Sequence, residues 1–517
     1  MRRINFPFLA GGRRSGGRAG QAFLPVLLAL SVALPIAGAT RPHYGGTLRV
    51  EMRARVTSLD PREMPSDPAE FAAVERIVSL VFEQLVGLDE NGRPQPALAV
   101  AWQHDAEWKR WEFRMRPGVR FHDGALLTPA EVAGAWQRLN GPQRIATVSG
   151  GWLVIQSERH MPDLLLELAR GHNFIFHLAK DGSVVGTGPF RVTEWQRQVA
   201  PSSGSTSSAS RAPSGDEDGT GRRLVLAAFD DHWAGRPFLD SISVEMGVIP
   251  QQQLIDLELG KADIVELAPD QVRRASQSGG KTWSSLPVEL LALVFLRDRP
   301  AVQEARLRQA MAFSIDRAAI WSVLLQRQGE VAGGLLPQWL SGYAFLFSTP
   351  VDLERAKQLR SEVSATQRAS RGPIKVAYDF TDSLARSVAE RIAVNAREAG
   401  IAAQVAPPGP ASASGYDARL VRLRLVATSA PTALESLLAA LGETRSLRPD
   451  APATPEQLYA AERAVVDSYR VLPLVHLPQS YGLSERVKNW MPRRWGTWRL
   501  EDVWLDTSSP AASGERP

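Results

Sequence analysis

Eight histidines, several adjacent carboxylates and no cysteine are the side chains from which this 517-residue chain could build a reaction centre. None of them falls at a spacing that such chemistry requires. His172 and His177 stand five apart, so they do not share a helix face as metal ligands at i and i+4 would. Gly280-Lys281-Thr282 ends like a phosphate-binding loop, but Ala275 occupies the place of the first glycine and no apolar strand precedes it. No G-x-S-x-G element is present to present a serine nucleophile. Asp230-Asp231-His232-Trp233 carries donors for a metal or an acid–base pair, yet Gly235 and Pro237 follow it, and the run reads as a polar turn after a strand at 224–228. Asp89-Glu90 adjoins Asn91-Gly92 and reads as hairpin-turn chemistry. The absence of cysteine excludes disulfides, thiolate metal sites, a cysteine nucleophile and a lipid-bearing cysteine. The expectation is a protein without catalytic residues, metal or cofactor.

Binding remains as the open class of chemistry. Fourteen tryptophans supply area and N–H donors suited to a cleft, although Trp111 and Trp136 lie on apolar stripes and read as core. The formal charge of +5 suggests a polyanionic partner only until it is located. Arg2, Arg3, Arg13, Arg14 and Arg18 fall in the first 39 residues, which hold no acidic side chain; the rest balances at 55 basic against 55 acidic. A neutral body gives no electrostatic case for nucleic acid.

The elements that must position a site begin with an address. Basic residues to Arg18, an apolar run over 22–37 and then Ala37-Gly38-Ala39 make the three-part pattern of a secretory signal, with processing after Ala39. A retained anchor is the alternative, but the run is broken by Pro25 and Pro35 and falls short of the roughly 20 residues a membrane crossing needs. The product expected is an exported, soluble protein.

Beyond Tyr44, Leu48, Val50 and Met52 alternate with polar neighbours, as do Trp111, Phe113 and Met115, and both patterns predict half-buried strands. Thr128-Pro129-Ala130-Glu131 predicts a capped helix start with Val132, Ala135, Trp136 and Leu139 on one face. The Ser-rich, acidic stretch 199–221 cannot bury enough apolar area to order itself and reads as a disordered loop between paired strands at 190–196 and 224–228. A helix is expected over 304–323. Strand, helix and strand at 374–378, 384–399 and 401–405, with Gly400 as a C-cap, predict a parallel βαβ unit. The whole is therefore α/β with mixed sheets: antiparallel ribbons early, parallel units late.

The order of these pieces resembles the family 5 bacterial extracellular solute-binding proteins, the dipeptide, oligopeptide and nickel receptors of ABC importers. The resemblance is carried by Tyr44-Gly45-Gly46-Thr47-Leu48, Ser58-Leu59-Asp60-Pro61, Leu85-Val86-Gly87-Leu88, Pro96-Ala97-Leu98-Ala99, and most specifically by the run from Trp111 through Arg116-Pro117-Gly118 to Phe121-His122-Asp123-Gly124. It continues through Gly186-Thr187-Gly188-Pro189-Phe190, His232-Trp233-Ala234-Gly235, and Arg306-Leu307-Arg308-Gln309-Ala310-Met311 with Ile315-Asp316-Arg317. It implies a two-lobed periplasmic-binding-protein type II-like fold with a hinge of crossing strands. After a signal at 1–39, lobe I would span 44–287, lobe II 288–470, and 471–517 would return to lobe I and end in a tail. The apolar runs 290–296 and 471–477 would pair as the hinge.

The implied function is that of an exported, monomeric receptor whose two lobes close on a small-molecule or peptide-like ligand and present it to an ABC permease in the inner membrane. A receptor that serves a sensor instead, or an enzyme using the same cleft, are the alternatives. Peptide-binding members hold the ligand's ammonium with an aspartate following a tryptophan. Here that position resembles Ala427, Arg424 falls near the tryptophan, and Arg297-Asp298 replaces the usual asparagine after the hinge strand. An arginine repels an ammonium and attracts a carboxylate or phosphate, so a standard peptide is not the expected guest. By position in these motifs, Pro65, Ser66 and Asp67, then Arg424, Ala427 and Thr428, and His476 are expected to face the cleft.

Overall fold

The computed structural model describes residues 41–65, 67–89, 92–140, 145–169, 171–195, 223–278, 280–363, 372–379, 382–406, 415–425, 429–443, 453–490, 492–494 and 497–506. The proposed signal, the Ser-rich stretch, Ser66, Ala427 and Thr428 lie outside the described residues. Contacts divide the chain into Met1–Arg41 and Pro42–Pro517, and every described residue except Arg41 belongs to the second unit.

Strand β1 (Thr47–Met52) buries Leu48, Val50 and Met52, as its period-two pattern predicts. Helix α1 (Pro68–Val81) follows, started by Pro68 in its first turn and by the Asp67 carboxylate, which accepts from the amides of Ala69 and Glu70. A four-stranded antiparallel sheet is then built from β2 (Ala99–His104), β3 (Arg110–Met115), β4 (Ile145–Ser149) and β5 (Trp152–Gln156), in the order β2-β3-β5-β4. Helix α2 (Pro129–Asn140) packs on it through Val132 and Trp136, while Ala135 joins the cluster around β1. The Glu131 amide donates to Thr128 Oγ1 at 3.3 Å, whereas the Glu131 carboxylate lies 3.3 Å from His177 Nδ1.

An eleven-stranded mixed sheet organises the rest. The strands β6 (Phe190–Trp195) and β7 (Arg223–Ala228) pair antiparallel on either side of the Ser-rich stretch, and β8 (Ser241–Met246) joins β7. Then β1 runs parallel to β8, with Leu48 opposite Ile242, and touches β9 (Ile264–Leu267), which follows α3 (Pro250–Glu258). The expectation that the early half holds only antiparallel ribbons is thus corrected: β1, β8 and β9 form a parallel core, joined through α3, and leave the antiparallel ribbons at its margin.

Two long strands carry the sheet onward. The first, β10 (Lys281–Phe295), pairs antiparallel with a strand near the C-terminus, Val471–Leu483. On the far side of β10 lie β14 (Ala418–Arg424), then β12 (Ile374–Ala377) and β13 (Ala403–Val405), which are parallel and flank α5 (Ser383–Glu398). The short β11 (Glu330–Val331) lies on the C-terminal strand, which is β15 in chain order. Gly400 closes α5 at φ +74°, the left-handed value that a glycine C-cap supplies.

Along β10, Leu291, Leu293 and Phe295 enter one apolar cluster, while Leu290, Ala292 and Val294 enter another on the opposite face. A strand buried on both faces needs an unbroken apolar run, which is what 290–296 provides. Farther back on the same strand, Trp283 packs with Leu48, Val50 and Tyr481 in a cluster of the first half. On β15, Leu472 and Leu474 belong to one of the later clusters and Tyr481 and Leu483 to the early one. Both strands therefore run unbroken from one core into another.

The helix expected over 304–323 is divided. Helix α4 (Ala305–Ser314) ends at Ile315, which is extended and fully buried; Asp316 then caps a new turn through the Ala319 amide, and a wider helical turn covers Ile320–Leu324. The Asp316 amide donates to Asn395 of α5, so a tertiary partner replaces the intrahelical bond.

Candidate functional site

The region between the early and later cores is filled with charge. From the early half come Arg53 after β1, Glu75 and Arg76 on α1, and Glu266 on β9; from the later half come Glu289 on β10, Arg422 and Arg424 on β14, and Asp382 at the N-cap of α5. Arg424 stands directly opposite Glu289 in the antiparallel register. Arg422, two residues back, points to the same face of the sheet.

The pairs form a chain across the junction. Arg76 bridges Glu266, with Nη1 also 3.4 Å from the Tyr481 hydroxyl and Nε donating to the Ala72 carbonyl at 3.1 Å. The Trp498 indole N–H donates to the same hydroxyl at 3.1 Å. Glu266 also accepts from the Arg53 amide at 2.7 Å. In the later half Arg422 pairs with Glu289 and, at 3.1 Å, with Asp382; Arg424 Nη1 lies 3.6 Å from Glu289. Arg53 Nη1 and Asp382 Oδ2, one from each half, approach to 3.9 Å. Burial would raise the carboxyls of Glu266 and Glu289, but Arg76 on the first and Arg422 with Arg424 on the second hold both below the ordinary range. Arg424 is itself lowered, by burial first and by Arg76, against the pull of Glu289.

The residues expected to bind ligand are distributed as follows. Arg424, 8% exposed, lies in this junction. Asp67 is at the start of α1, whose first amides its carboxylate accepts, and Pro65 is half-buried just before it. His476 is 2% exposed on β15; its Nε2 lies 3.0 Å from the Leu335 carbonyl and its Nδ1 3.6 Å from Glu330. Ser66, Ala427 and Thr428 fall outside the described residues. The tetrad Asp230–Trp233 forms the expected turn, where the Trp233 indole donates to Glu83 at 2.9 Å. Among the described residues no three His, Asp or Glu side chains gather as a metal site, and no helix is long and apolar enough to cross a membrane.

Sequence reasoning passed over Glu75, Arg76, Glu266, Glu289, Asp382 and Arg422. The signal was nonetheless present: Glu75-Arg76 interrupts an apolar helix stripe, Glu289 interrupts a run over 286–296 that is otherwise apolar, and Arg422 and Arg424 alternate with leucines. A charge in such a run is buried at a cost unless it is paired.

Comparison with known proteins places this geometry. A family model described as bacterial extracellular solute-binding proteins, family 5, matches residues 93–200 and 216–438. The nickel-binding periplasmic protein of Escherichia coli K12 is 25% identical over 363 residues, 62% of this chain and 64% of that protein. The match thus spans just under two thirds of that relative's length. Among solved structures, the ABC transporter substrate-binding protein CtaP of Listeria monocytogenes superposes with a TM-score of 0.72 at 17% identity, covering 89% of this chain and 99% of that one. NikA of Brucella suis, solved with Fe(III)-EDTA, superposes with a TM-score of 0.71 at 18% identity, covering 89% and 100%. The fold is that of the two-lobed periplasmic binding proteins.

Proposed function

The chain belongs to the bacterial extracellular solute-binding proteins, family 5, and from that premise we propose that it is an exported receptor which captures a small solute between its lobes and delivers it to an ABC importer. The observation that carries this reading is the pair of strands β10 and β15, which alone of the elements described run from the early core to the later one. Two adjacent crossing strands permit rotation of one half against the other, and a guest that touches both halves favours the closed arrangement. Closure is the signal a permease reads.

The leader is removed after Ala39. The guest is not a standard peptide, because a guanidinium such as that of Arg424 repels an ammonium. Arg424 is a contact to the guest, with the segment after it and the loop at 65–67 completing the walls. The protein acts as a monomer and catalyses nothing.

The test pairs native mass spectrometry with small-angle scattering. Solutes that co-purify, or that are fished from extracts by mass, are expected to lower the radius of gyration when added back. A solute that binds stoichiometrically and leaves the scattering profile unchanged would count against closure and so against the receptor reading.

A further inference from the structure

The two long strands β10 and β15 do not pair alone: one segment of the later half touches both. It enters through β11, whose Glu330 and Val331 pair with His476 and Val475 of β15. The Ala332 amide extends that contact to the Leu474 carbonyl at 3.0 Å, and His476 Nε2 lies 3.0 Å from the Leu335 carbonyl. The approach is close enough to demand glycine at 329, where φ is +77° and a Cβ would collide with the His476 carbonyl. The segment then turns through Gln338–Ser341, and from that turn the Trp339 indole donates to the Pro287 carbonyl of β10 at 2.7 Å. Backbone and side chain thus hold β15, and one indole holds β10.

The carbonyl that the indole meets sits at a gap in the ladder. Pro287 faces Pro478, neither proline has an amide to give, and the register shifts on both sides of Pro287. A half-buried carbonyl that receives no donor from the residue opposite needs another, and the indole supplies it. The same gap is where β10 passes between cores: Trp283 packs with the early cluster, Leu290 and Leu291 with the later ones. The far end of the segment is fixed in the later half. Glu462 of the helix Pro455–Val466 accepts from the amides of Leu335 and Leu336 and from the Tyr343 hydroxyl. Tyr343 and Phe347 pack on Tyr459 of the same helix, with ring centroids 5.6 and 5.2 Å away. The entry is fixed as well. The Trp321 indole donates to the Gly329 carbonyl at 2.9 Å, and Gln326 and Arg327 stand in the left-handed region at φ +49° and +65°, which residues with side chains hold only where their surroundings impose it.

We propose that segment 329–347 is a latch on the hinge, rooted in the later half and closed by the bond from Trp339 to Pro287. The inference rests on the receptor reading and names what holds its hinge. Rotation of the early half is carried into β10 through 281–286, so it displaces the Pro287 carbonyl against an indole that the later half keeps in place. A hydrogen bond weakens steeply as its alignment is lost, so this one opens when the halves swing apart. A single bond shifts the balance by a modest factor, which a guest can overcome. Trp339 is a positioning residue: it acts on the hinge and not on the guest.

Trp339→Phe keeps a ring in place and deletes the N–H. The full chain, free of guest, is read by hydrogen exchange and by small-angle scattering. Amides within 286–291 and 476–480 are expected to exchange about two- to tenfold faster in Trp339→Phe, the factor that one hydrogen bond supplies, and the radius of gyration is expected to rise. Amides of β1 in the early core and of α5 in the later core should exchange as in the wild type, which also certifies the fold of the variant. Equal exchange at the hinge in the two proteins overturns the latch. Faster exchange spread evenly over both cores overturns it too, since Trp339 would then be a general support. Faster hinge exchange with an unchanged radius of gyration makes the bond a local brace and likewise ends the proposal. None of these readings needs a guest. A solute that compacts the wild type while Trp339→Phe behaves as wild type leaves the receptor standing and removes only the latch; the expected hinge behaviour, paired with a solute that binds without compaction, keeps the latch and counts against the receptor.

Discussion

Two buried ionisable side chains hold the same loop and respond to pH in opposite directions. Glu462, fully buried on the helix Pro455–Val466, accepts from the amides of Leu335 and Leu336 and from the Tyr343 hydroxyl at 3.0 Å. Burial raises its carboxyl to about 7, against the pull of those three donors. In the unfolded chain it titrates near 4.5, so its contribution is complete below that pH and is lost as pH rises through 7. His476, bound to the Leu335 carbonyl, is lowered to about 4 chiefly by burial. The unfolded chain binds that proton first, and stability falls as pH drops from 6.5 to 4. The two windows overlap, so a variant difference is more telling than the raw profile. Glu462→Gln keeps an acceptor for both amides and carries no charge. Relative to wild type it is expected to gain stability between pH 5 and pH 8, by at most about 3 kcal/mol, on a scale where one pH unit of displacement is about 1.4 kcal/mol. Urea midpoints at the two pH values measure this, and an identical difference at both would remove the assignment. Neither role was legible in sequence. A histidine in an apolar strand such as 471–477 looks the same whether it faces a guest or a carbonyl 141 residues away.

At the scale of the element, the punctuation of the hinge strands was readable and its consequence was not. Pro287, Pro473 and Pro478 are plain in the sequence, and a proline has no amide to give to a ladder. The register between β10 and β15 shifts on both sides of Pro287, which faces Pro478, and again between Leu291 and Ala292, the latter facing Pro473. The prolines thus locate the irregularities at which two paired strands can bend. The division of the 304–323 helix, by contrast, depends on Asn395 accepting from the Asp316 amide, a contact that pattern alone does not reveal. Close approach matters at Gly329, where φ is +77° and a Cβ would collide with the His476 carbonyl, with Pro478 Cδ 3.2 Å away. Gly329→Ala combines left-handed strain with a backbone clash and is expected to cost about 2 to 4 kcal/mol. The midpoint of denaturant unfolding should fall while its slope stays constant. A loss below about 0.5 kcal/mol would show that β11 yields freely and is no part of the hinge.

For the whole molecule, the question is what sets the balance between open and closed, and Asp382 separates the possible answers. One carboxylate oxygen caps α5, accepting from Leu384 at 3.0 Å and Ala385 at 3.2 Å; the other pairs with Arg422 in its own half and with Arg53 across the junction. Arg53 keeps 41% of its side chain exposed, so the crossing pair is partly solvated and is worth about 0.2 to 1 kcal/mol, within reach of salt. A contact of that size biases the halves toward one another without locking them, which is what the proposed receptor would require. Asp382→Asn retains a capping oxygen and removes the charge, so helix α5 should persist while the attraction between halves is lost. In wild type, raising salt from 20 to 500 mM should enlarge the radius of gyration of the guest-free protein, because the Debye length shrinks to a few ångströms. Asp382→Asn should already be expanded at low salt and respond little to more. Equal salt responses in the two proteins would mean that the junction's other ion pairs or apolar contacts between the lobes set the balance instead.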